Sequence, residues 1–254
     1  MAESSHNPHG STVDPGEIER FARIADAWWD PRGKFAPLHQ LNPVRLGFIR
    51  DRAAMHWQRD ALSGGALKDL SVLDIGCGGG LICEPLARLG GRVTGIDAAD
   101  RNVATARLHA AGQNLAIDYR ATTAEAMVES GARFDIVLAL EIVEHVADVD
   151  LFLQSVGELA KPGGLVFLST LNRTAKAWAL AVAGAEYVLR WLPRGTHDWR
   201  KFVKPSEAVR GLRRGGVETR EIAGVVYSPL SRAWSLNKRD LDVNYMLYGS
   251  KGVG

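Results

Sequence analysis

The chain has 254 residues, 46% of them hydrophobic and 24% charged, and its formal net charge at pH 7 is +2. This length and composition are typical of one soluble α/β domain with elaborations, and the near-neutral charge gives no electrostatic basis for binding nucleic acid. Two cysteines are too few for a disulfide framework or a zinc cluster. No window of about 18 uncharged apolar residues predicts a transmembrane helix.

The beginning of the chain predicts a helical layer outside the main domain. Residues 1–16 are polar and predict a disordered tail, and residues 17–70 predict a helical cap. The stretch "DPGEIERFARIADAWWD" predicts a first helix with Asp14 as its N-cap and Pro15 in its first turn. This helix either packs against the main domain or forms a lid over its site. A second helix is predicted over residues 44–62.

From residue 71 the pattern alternates between strands and helices. Five strands, "SVLDIG", "RVTGID", "AIDYRA", "FDIVLAL" and "GGLVFLST", are separated by helices predicted over 81–89, 101–111, 124–130 and 150–160. Such alternation predicts a doubly wound, mostly parallel sheet with helices on both faces. Residues 71–171 form this core, 172–204 a basic insertion, and 205–254 a helix and two closing strands that form a hairpin. The predicted fold class is α/β, with a Rossmann-like sheet of seven strands.

A glycine-rich turn, "DIGCGGG", directly follows the first strand of the core. Ligands of doubly wound sheets bind at the carboxyl ends of the strands, and glycines there let a ligand approach the backbone closely. The turn places Asp74, Gly76, Gly78 and Gly80 at alternate positions, and Asp97 ends the next strand. A carboxylate at that place can accept hydrogen bonds from ribose hydroxyls. Dinucleotide turns read GxGxxG, whereas this one reads DxGxGxG; a purely structural bend is the alternative.

The motifs resemble those of known enzymes. "VLDIGCGGG", "VTGID", "FDIVLALEIVEHV" and "LAKPGGLVFLSTLNR" resemble, in order and spacing, the motifs of class I S-adenosylmethionine-dependent methyltransferases. More narrowly, "LHQLNPVRLGFI", the block from "STLNRTAKAW" to "GTHDWRKFVKP", and "DVNYM" resemble the ubiquinone-biosynthesis O-methyltransferases, over residues 17–248. The resemblance implies S-adenosylmethionine as co-substrate and polyprenylated hydroxyphenols and demethylubiquinol as methyl acceptors.

The resemblance also implies roles for individual residues. Gly76 and its neighbours, which include Asp74 and Gly78, line the methionine portion of the cofactor, Asp97 binds the ribose, and Leu140 contacts the cofactor at the end of the fourth strand. Arg45 matches a cofactor-contacting arginine of the family, at the cofactor's carboxylate. Considered without the resemblance, Arg45 is better interpreted as a solvated surface residue.

The segment "EIVEH" supplies candidate catalytic groups after the fourth strand. His145 is a candidate general base, because histidine's ordinary pKa lies close to neutral pH, and Glu141 stands beside it as a second catalytic candidate. Glu141, Glu144 and His145 also form a candidate site for a divalent cation, and the resemblance includes relatives for which this motif is proposed to bind Mg²⁺. The structural alternative is that Glu144 and His145 merely cap the following helix.

The insertion is strongly basic. Ten basic residues lie between 171 and 214 against three acidic ones. Within it, "KAWALAVAGAEYVLRWLPR" predicts a helix that is apolar around most of its circumference. Residues 174–204 either dock on an anionic membrane surface or cover the sheet or a partner subunit. The resulting prediction is a cytoplasmic protein, peripheral at the inner face of the membrane, with possible association with other ubiquinone-synthesis enzymes.

The predicted function is O-methylation of polyprenylated ubiquinone precursors. Two alternatives remain at this level: a methyltransferase acting on another small molecule, and a non-catalytic lipid- or partner-binding module on the same fold. The glycine turn, Asp97 and "EIVEH" disfavour the module, because a scaffold needs no cofactor pocket with reactive groups beside it.

Overall fold

A computed structural model describes residues 12–179, 199–228, 230–231 and 233–253. Its centre is one sheet of eight strands in the order β3-β2-β1-β4-β5-β8-β6-β7. The strands are β1 (Ser71–Ile75), β2 (Arg92–Asp97), β3 (Asp118–Ala121), β4 (Phe134–Leu140), β5 (Ala160–Leu171), β6 (Val217–Ser228), β7 (Ala233–Asn237) and β8 (Asn244–Lys251). Strands β1 to β5 are mutually parallel, which confirms the predicted α/β class.

The carboxyl-terminal part of the sheet differs from the prediction in one strand. β7 is an additional strand that pairs antiparallel with β6 at the edge of the sheet, so the sheet has eight strands rather than seven. β6 and β8 do pair with each other in antiparallel orientation, but β8 inserts between β5 and β6. Every β8 residue before Lys251 is buried, as expected for a strand in the middle of a covered sheet.

Helices cover both faces of the sheet. They are α1 (Pro15–Ala22), α2 (Ala36–His56), α3 (Cys83–Arg88), α4 (Asp100–Gly112), α5 (Ala124–Glu129), α6 (Val149–Glu158), a single turn α7 (Ala175–Ala177) and α8 (Pro205–Arg214). Helices α2, α3 and α4 bury apolar side chains against one face, and α5, α6 and α8 against the other. None of the helices in the described ranges is long and apolar enough to cross a membrane.

The amino-terminal helices differ from their predicted bounds. Asp14 caps α1 as predicted, since its side chain accepts hydrogen bonds from the backbone of Gly16 and Glu17. The helix ends at Ala22, and a 3₁₀ turn carries the chain on to the buried Trp28. α2 begins eight residues before the predicted start at 44, because Pro43 is accommodated at an exposed position inside the helix. It ends at His56 rather than at residue 62. Most of the predicted insertion helix, residues 180–192, lies outside the described residues.

Candidate active site

One cavity of about 1230 Å³ opens at the carboxyl ends of the parallel strands, the place where doubly wound sheets bind ligands. It extends from the glycine turn to the β6–β7 hairpin and is covered by the segment that contains α1. Eight of the nine predicted site residues line it: Arg45, Asp74, Gly76, Asp97, Leu140, Glu141, Glu144 and His145. The ninth, Gly78, lies behind them under the ring of Trp28.

The glycine turn has the backbone geometry that its sequence requires. Gly76, Gly78 and Gly80 have φ angles of 72°, 52° and 89°, a left-handed region that side-chain-bearing residues rarely adopt. A Cβ atom on Gly78 would lie 2.4 Å from Trp28 Cζ2. The glycines therefore serve two purposes, the turn itself and the close approach of a second segment.

That second segment carries two tryptophans, whose part in the site was not predicted. Trp28 Nε1 donates a hydrogen bond to Asn102 Oδ1 at 3.0 Å, and Trp29 Nε1 donates to the carbonyl of Gly79 at 2.9 Å. The adjacent pair "WW" is the sequence feature from which these two site residues could have been found. Since both indoles bind groups beside the turn, the amino-terminal segment completes the site.

Asp97 is held at the end of β2 by three hydrogen-bond donors. The backbone amides of Gly78 and Ala99 donate at 3.0 and 2.8 Å, and Asn102 Nδ2 donates at 3.2 Å. Burial raises the pKa of Asp97 in spite of these bonds. A carboxylate has about four acceptor sites, so Asp97 retains capacity for a ligand hydroxyl.

Asp74 is buried beneath the turn. It accepts a hydrogen bond from Cys83 Sγ at 3.2 Å. Burial, aided by the charge of Asp97, raises the pKa of Asp74 to about 7, although the hydrogen bond from Cys83 acts in the opposite direction. A carboxyl group whose pKa is raised on folding binds its proton more tightly in the native state. Its contribution to stability is therefore full near pH 4 and is lost as the pH rises to about 7.

Replacing Asp74 by asparagine removes this pH-dependent loss. We expect the Asp74→Asn variant to unfold with a free energy up to about 4 kcal/mol above that of the wild type at pH 8, and with little difference near pH 4. Urea unfolding at the two pH values measures it. Asp135→Asn is the matched control and should lower the free energy of unfolding at pH 8 rather than raise it. The reason is that Ser71 and Lys161 lower the pKa of Asp135 in spite of burial. A gain for Asp74→Asn that is equal at both pH values would contradict the prediction.

Arg45 and Glu141 form an ion pair inside the cavity. Arg45 NH2 lies 2.6 Å from Glu141 Oε1, and the arginine side chain is 3% exposed, which excludes the interpretation as a surface arginine. Ser169 Oγ donates to the same Glu141 oxygen at 2.8 Å. Glu141 has φ 52°, a strained conformation of the kind found at functional sites.

Glu144 and His145 face different partners. Both belong to a 3₁₀ turn, Val143–His145, and both are buried. Thr170 Oγ1 donates to Glu144 Oε2 at 2.8 Å, and burial together with the charge of Glu141 raises the pKa of Glu144 to about 7. The helix-capping interpretation is wrong, because Asp148 caps α6 by accepting from the Leu151 amide.

His145 is oriented by the amino-terminal helix. Its Nδ1 lies 3.1 Å from Glu17 Oε2, and its ring meets the edge of Phe21 with centroids 5.2 Å apart. Burial acts to raise the pKa of Glu17, but the hydrogen bond with His145 and the nearby cations Arg20 and Lys201 outweigh it, and the pKa is lowered. Residue 17 is distant in sequence, so the partner of His145 was not predicted.

The predicted divalent-cation site is not assembled. Within the described ranges, no group of three or more His, Cys, Asp or Glu side chains is arranged to hold a metal ion. The reason is visible at each residue: Glu141 faces Arg45, Glu144 faces Thr170, and His145 faces Glu17. As placed, these side chains do not fit a metal ion.

Several buried polar atoms around the cavity have no hydrogen-bond partner in the described part of the chain. They are Arg45 Nε, Glu125 Oε2, Trp234 Nε1 and Asn244 Oδ1. Buried polar groups are almost always satisfied in native proteins. Orphaned atoms that line a cavity therefore mark positions where a ligand or an ordered water supplies the partner.

Comparisons with known proteins agree with this geometry. Residues 73–168 match a family described as a methyltransferase domain. The fold is similar to that of magnesium protoporphyrin IX methyltransferase from Synechocystis PCC 6803 with bound SAH, with a TM-score of 0.60, 18% identity, and coverage of 94% of this chain and 95% of that one. It is also similar to N-methyltransferase NodS from Bradyrhizobium japonicum WM9, with a TM-score of 0.57, 16% identity, and coverage of 93% and 97%. The chain therefore has the fold of the class I S-adenosylmethionine-dependent methyltransferases.

Full-length relatives narrow this class. A ubiquinone biosynthesis O-methyltransferase of Chelativorans sp. (strain BNC1) is 55% identical over 241 residues, which cover 95% of each chain. One of Brucella anthropi is 54% identical over 241 residues, 95% of this chain and 97% of that one. The chain belongs to the family of ubiquinone biosynthesis O-methyltransferases.

Proposed function

We propose that this protein transfers a methyl group from S-adenosylmethionine to a phenolic hydroxyl of polyprenylated ubiquinone precursors. The observation that carries the proposal is that His145, with its partner Glu17, lies in the same cavity as the glycine turn and Asp97. The relatives named above are ubiquinone biosynthesis O-methyltransferases at over half identity. The acceptors are hydroxyphenols and demethylubiquinol with a polyprenyl tail.

The cofactor-binding residues are Arg45, Asp74, Gly76, Gly78, Asp97 and Leu140. Arg45 fits the cofactor's carboxylate, because its Nε is buried and orphaned and a guanidinium binds carboxylates well. Asp97 has acceptor capacity for a ribose hydroxyl. When bound, S-adenosylmethionine supplies a sulfonium methyl group and leaves as S-adenosylhomocysteine.

His145 removes the acceptor's proton. Glu17 holds Nδ1 as the donor nitrogen, so Nε2 presents its lone pair, and the residue lines the cavity. The phenolic proton passes to Nε2 as the oxygen–methyl bond forms and the sulfur–methyl bond breaks. Glu141, held by Arg45 and Ser169, positions the acceptor beside the cofactor.

The test is methyl transfer from labelled S-adenosylmethionine to a short-chain demethylubiquinol. We expect one labelled, O-methylated quinol per S-adenosylhomocysteine released. A protein that binds S-adenosylmethionine but methylates only phenol-free acceptors would support the alternative small-molecule methyltransferase. One that binds no cofactor would support the non-catalytic module. A parallel reaction is run in EDTA and repeated after Mg²⁺ is added back. Loss of methyl transfer in EDTA and its recovery with Mg²⁺ would support the metal hypothesis, which requires Glu141 to leave Arg45.

Membrane association is part of the same proposal. A polyprenylated acceptor resides in a bilayer, so a cytoplasmic, peripheral enzyme at the inner face reaches it directly. The side chains of Trp178 and Trp199, at the two ends of the stretch outside the described residues, are exposed at 50% and 39%, and tryptophan favours the membrane interface. Flotation with anionic vesicles tests this: Trp178→Glu should reduce the bound fraction, and equal flotation of variant and wild type would contradict it.

A further inference from the structure

The side chain of Asn244 is buried in the cavity with an unsatisfied acceptor. Asn244 is the first residue of β8 and is 8% exposed. Its Oδ1 has no hydrogen-bond donor within the described ranges, and the residue lines the cavity. A buried amide oxygen requires a partner, so a bound molecule with a donor group is expected there.

The strand register places Asn244 on the sheet face that carries the Arg45–Glu141 pair. β8 runs antiparallel to β5, so Asn244 pairs with Leu171 at the carboxyl end of β5. Asn244 and Met246 project from the same face of the strand, and Met246 pairs with Ser169. Because Ser169 Oγ donates to Glu141, Asn244 shares a sheet face with the Arg45–Glu141 pair.

The residues on both sides of Asn244 are held by hydrogen bonds. The Asn172 amide donates to the carbonyl of Val243 at 2.8 Å, and Tyr245 Oη donates to the carbonyl of Val203 at 3.1 Å. Tyr245 is fully buried. The amide of Asn244 is therefore presented from a rigid element, as recognition groups need to be.

We propose that Asn244 is a specificity-determining residue that accepts a hydrogen bond from the hydroxyl adjacent to the one being methylated. This rests on the proposed function, in which the acceptor ring carries neighbouring hydroxyls. The reacting hydroxyl gives its proton to His145, whereas its neighbour keeps a proton to donate. A site built to bind a hydroxyl rejects analogues without it, because its own polar group then stays unpaired. Asn244 thus selects catechol-type acceptors over monohydroxy phenols.

Binding to the protein saturated with S-adenosylhomocysteine tests this without turnover. The probes are a pentylcatechol and the matching pentylphenol, measured by calorimetry with wild type, Asn244→Leu and Asn244→Ala. We expect both substitutions to weaken binding of the catechol by about tenfold to a hundredfold and to change binding of the phenol less than about threefold. Asn237→Leu, at an exposed asparagine that does not line the cavity, is the control and should change neither.

The Kd of S-adenosylhomocysteine and the Tm complete the measurement. Both should be unchanged in Asn244→Ala, which adds no bulk. Equal weakening of catechol and phenol, weakening of neither, or a loss of S-adenosylhomocysteine binding would overturn the proposal. Methyl transfer by the wild type distinguishes failure of the Asn244 proposal from failure of the proposed function. If the wild type methylates no phenol, the proposed function fails. If the wild type methylates catechols and the Asn244 variants discriminate between catechol and phenol equally well, only the Asn244 proposal is overturned.

Discussion

Replacing His145 by alanine is expected to lower turnover by about 10² to 10⁴-fold, the usual contribution of a positioned general base. The reason is geometric: Glu17 faces Nδ1 at 3.1 Å, and the ring lines the cavity. The measurement is the initial rate of methyl transfer at saturating acceptor and cofactor. Imidazole added to the buffer should restore part of the lost rate, because it can enter the space left by the ring and accept the proton.

His56→Ala is the matched control for that variant. His56 is exposed and bonds the carbonyl of Gly163 at 2.9 Å, outside the cavity, so its loss should leave turnover near the wild-type rate. Affinity for S-adenosylhomocysteine should be unchanged in His145→Ala, because His145 is assigned to the acceptor side. A wild-type rate for His145→Ala, or a deficit explained by lost cofactor binding, would remove His145 from its assigned role.

Gly78→Ala is expected to weaken the binding of S-adenosylhomocysteine at least about tenfold and to lower the free energy of unfolding by about 2 kcal/mol, since a φ of 52° costs a side-chain-bearing residue about 1–3 kcal/mol. The new Cβ would also lie 2.4 Å from the ring of Trp28. Relief of that clash moves the Gly78 amide that donates to Asp97, and so displaces the carboxylate assigned to the ribose. Calorimetry and urea unfolding measure the two effects.

Gly47→Ala is the control that separates strain from the mere addition of a methyl group. Gly47 lies inside α2, and a Cβ added to it would have no atom within 4 Å apart from its chain neighbours and the backbone of its own helix. Alanine at a helical glycine stabilises by roughly 0.5–1 kcal/mol, so this variant should gain stability and bind the cofactor product normally. Wild-type affinity in Gly78→Ala would show that the turn tolerates a side chain.

The parts of the site that were predictable from the sequence are those encoded locally. One strand is followed at once by "DIGCGGG", and a second strand ends at Asp97. The alternation of strands and helices alone therefore places these groups at the carboxyl ends of the strands. His145 follows a buried strand in the same way. The carboxyl ends of parallel strands converge, so these residues meet whatever the surrounding segments do.

The remaining features depend on contacts between distant segments. Glu17 and His145 are 128 residues apart, and Trp28 and Asn102 are 74 apart, so no local periodicity connects them. β7 was missed because it is a short edge strand with exposed residues at alternate positions, which resembles a polar loop in sequence. The orphaned acceptor of Asn244 became apparent only once the register of β8 was known.

The position of β8 has a consequence for the growing polypeptide. β8 lies between β5 and β6, yet it leaves the ribosome after both. Until residue 251 has emerged, β5 and β6 each present an unpaired inner edge, the kind of surface that recruits strands from other chains. A nascent chain that stalls between β7 and β8 therefore exposes two unpaired strand edges at once, and a chaperone that covered them would limit pairing with strands of other chains.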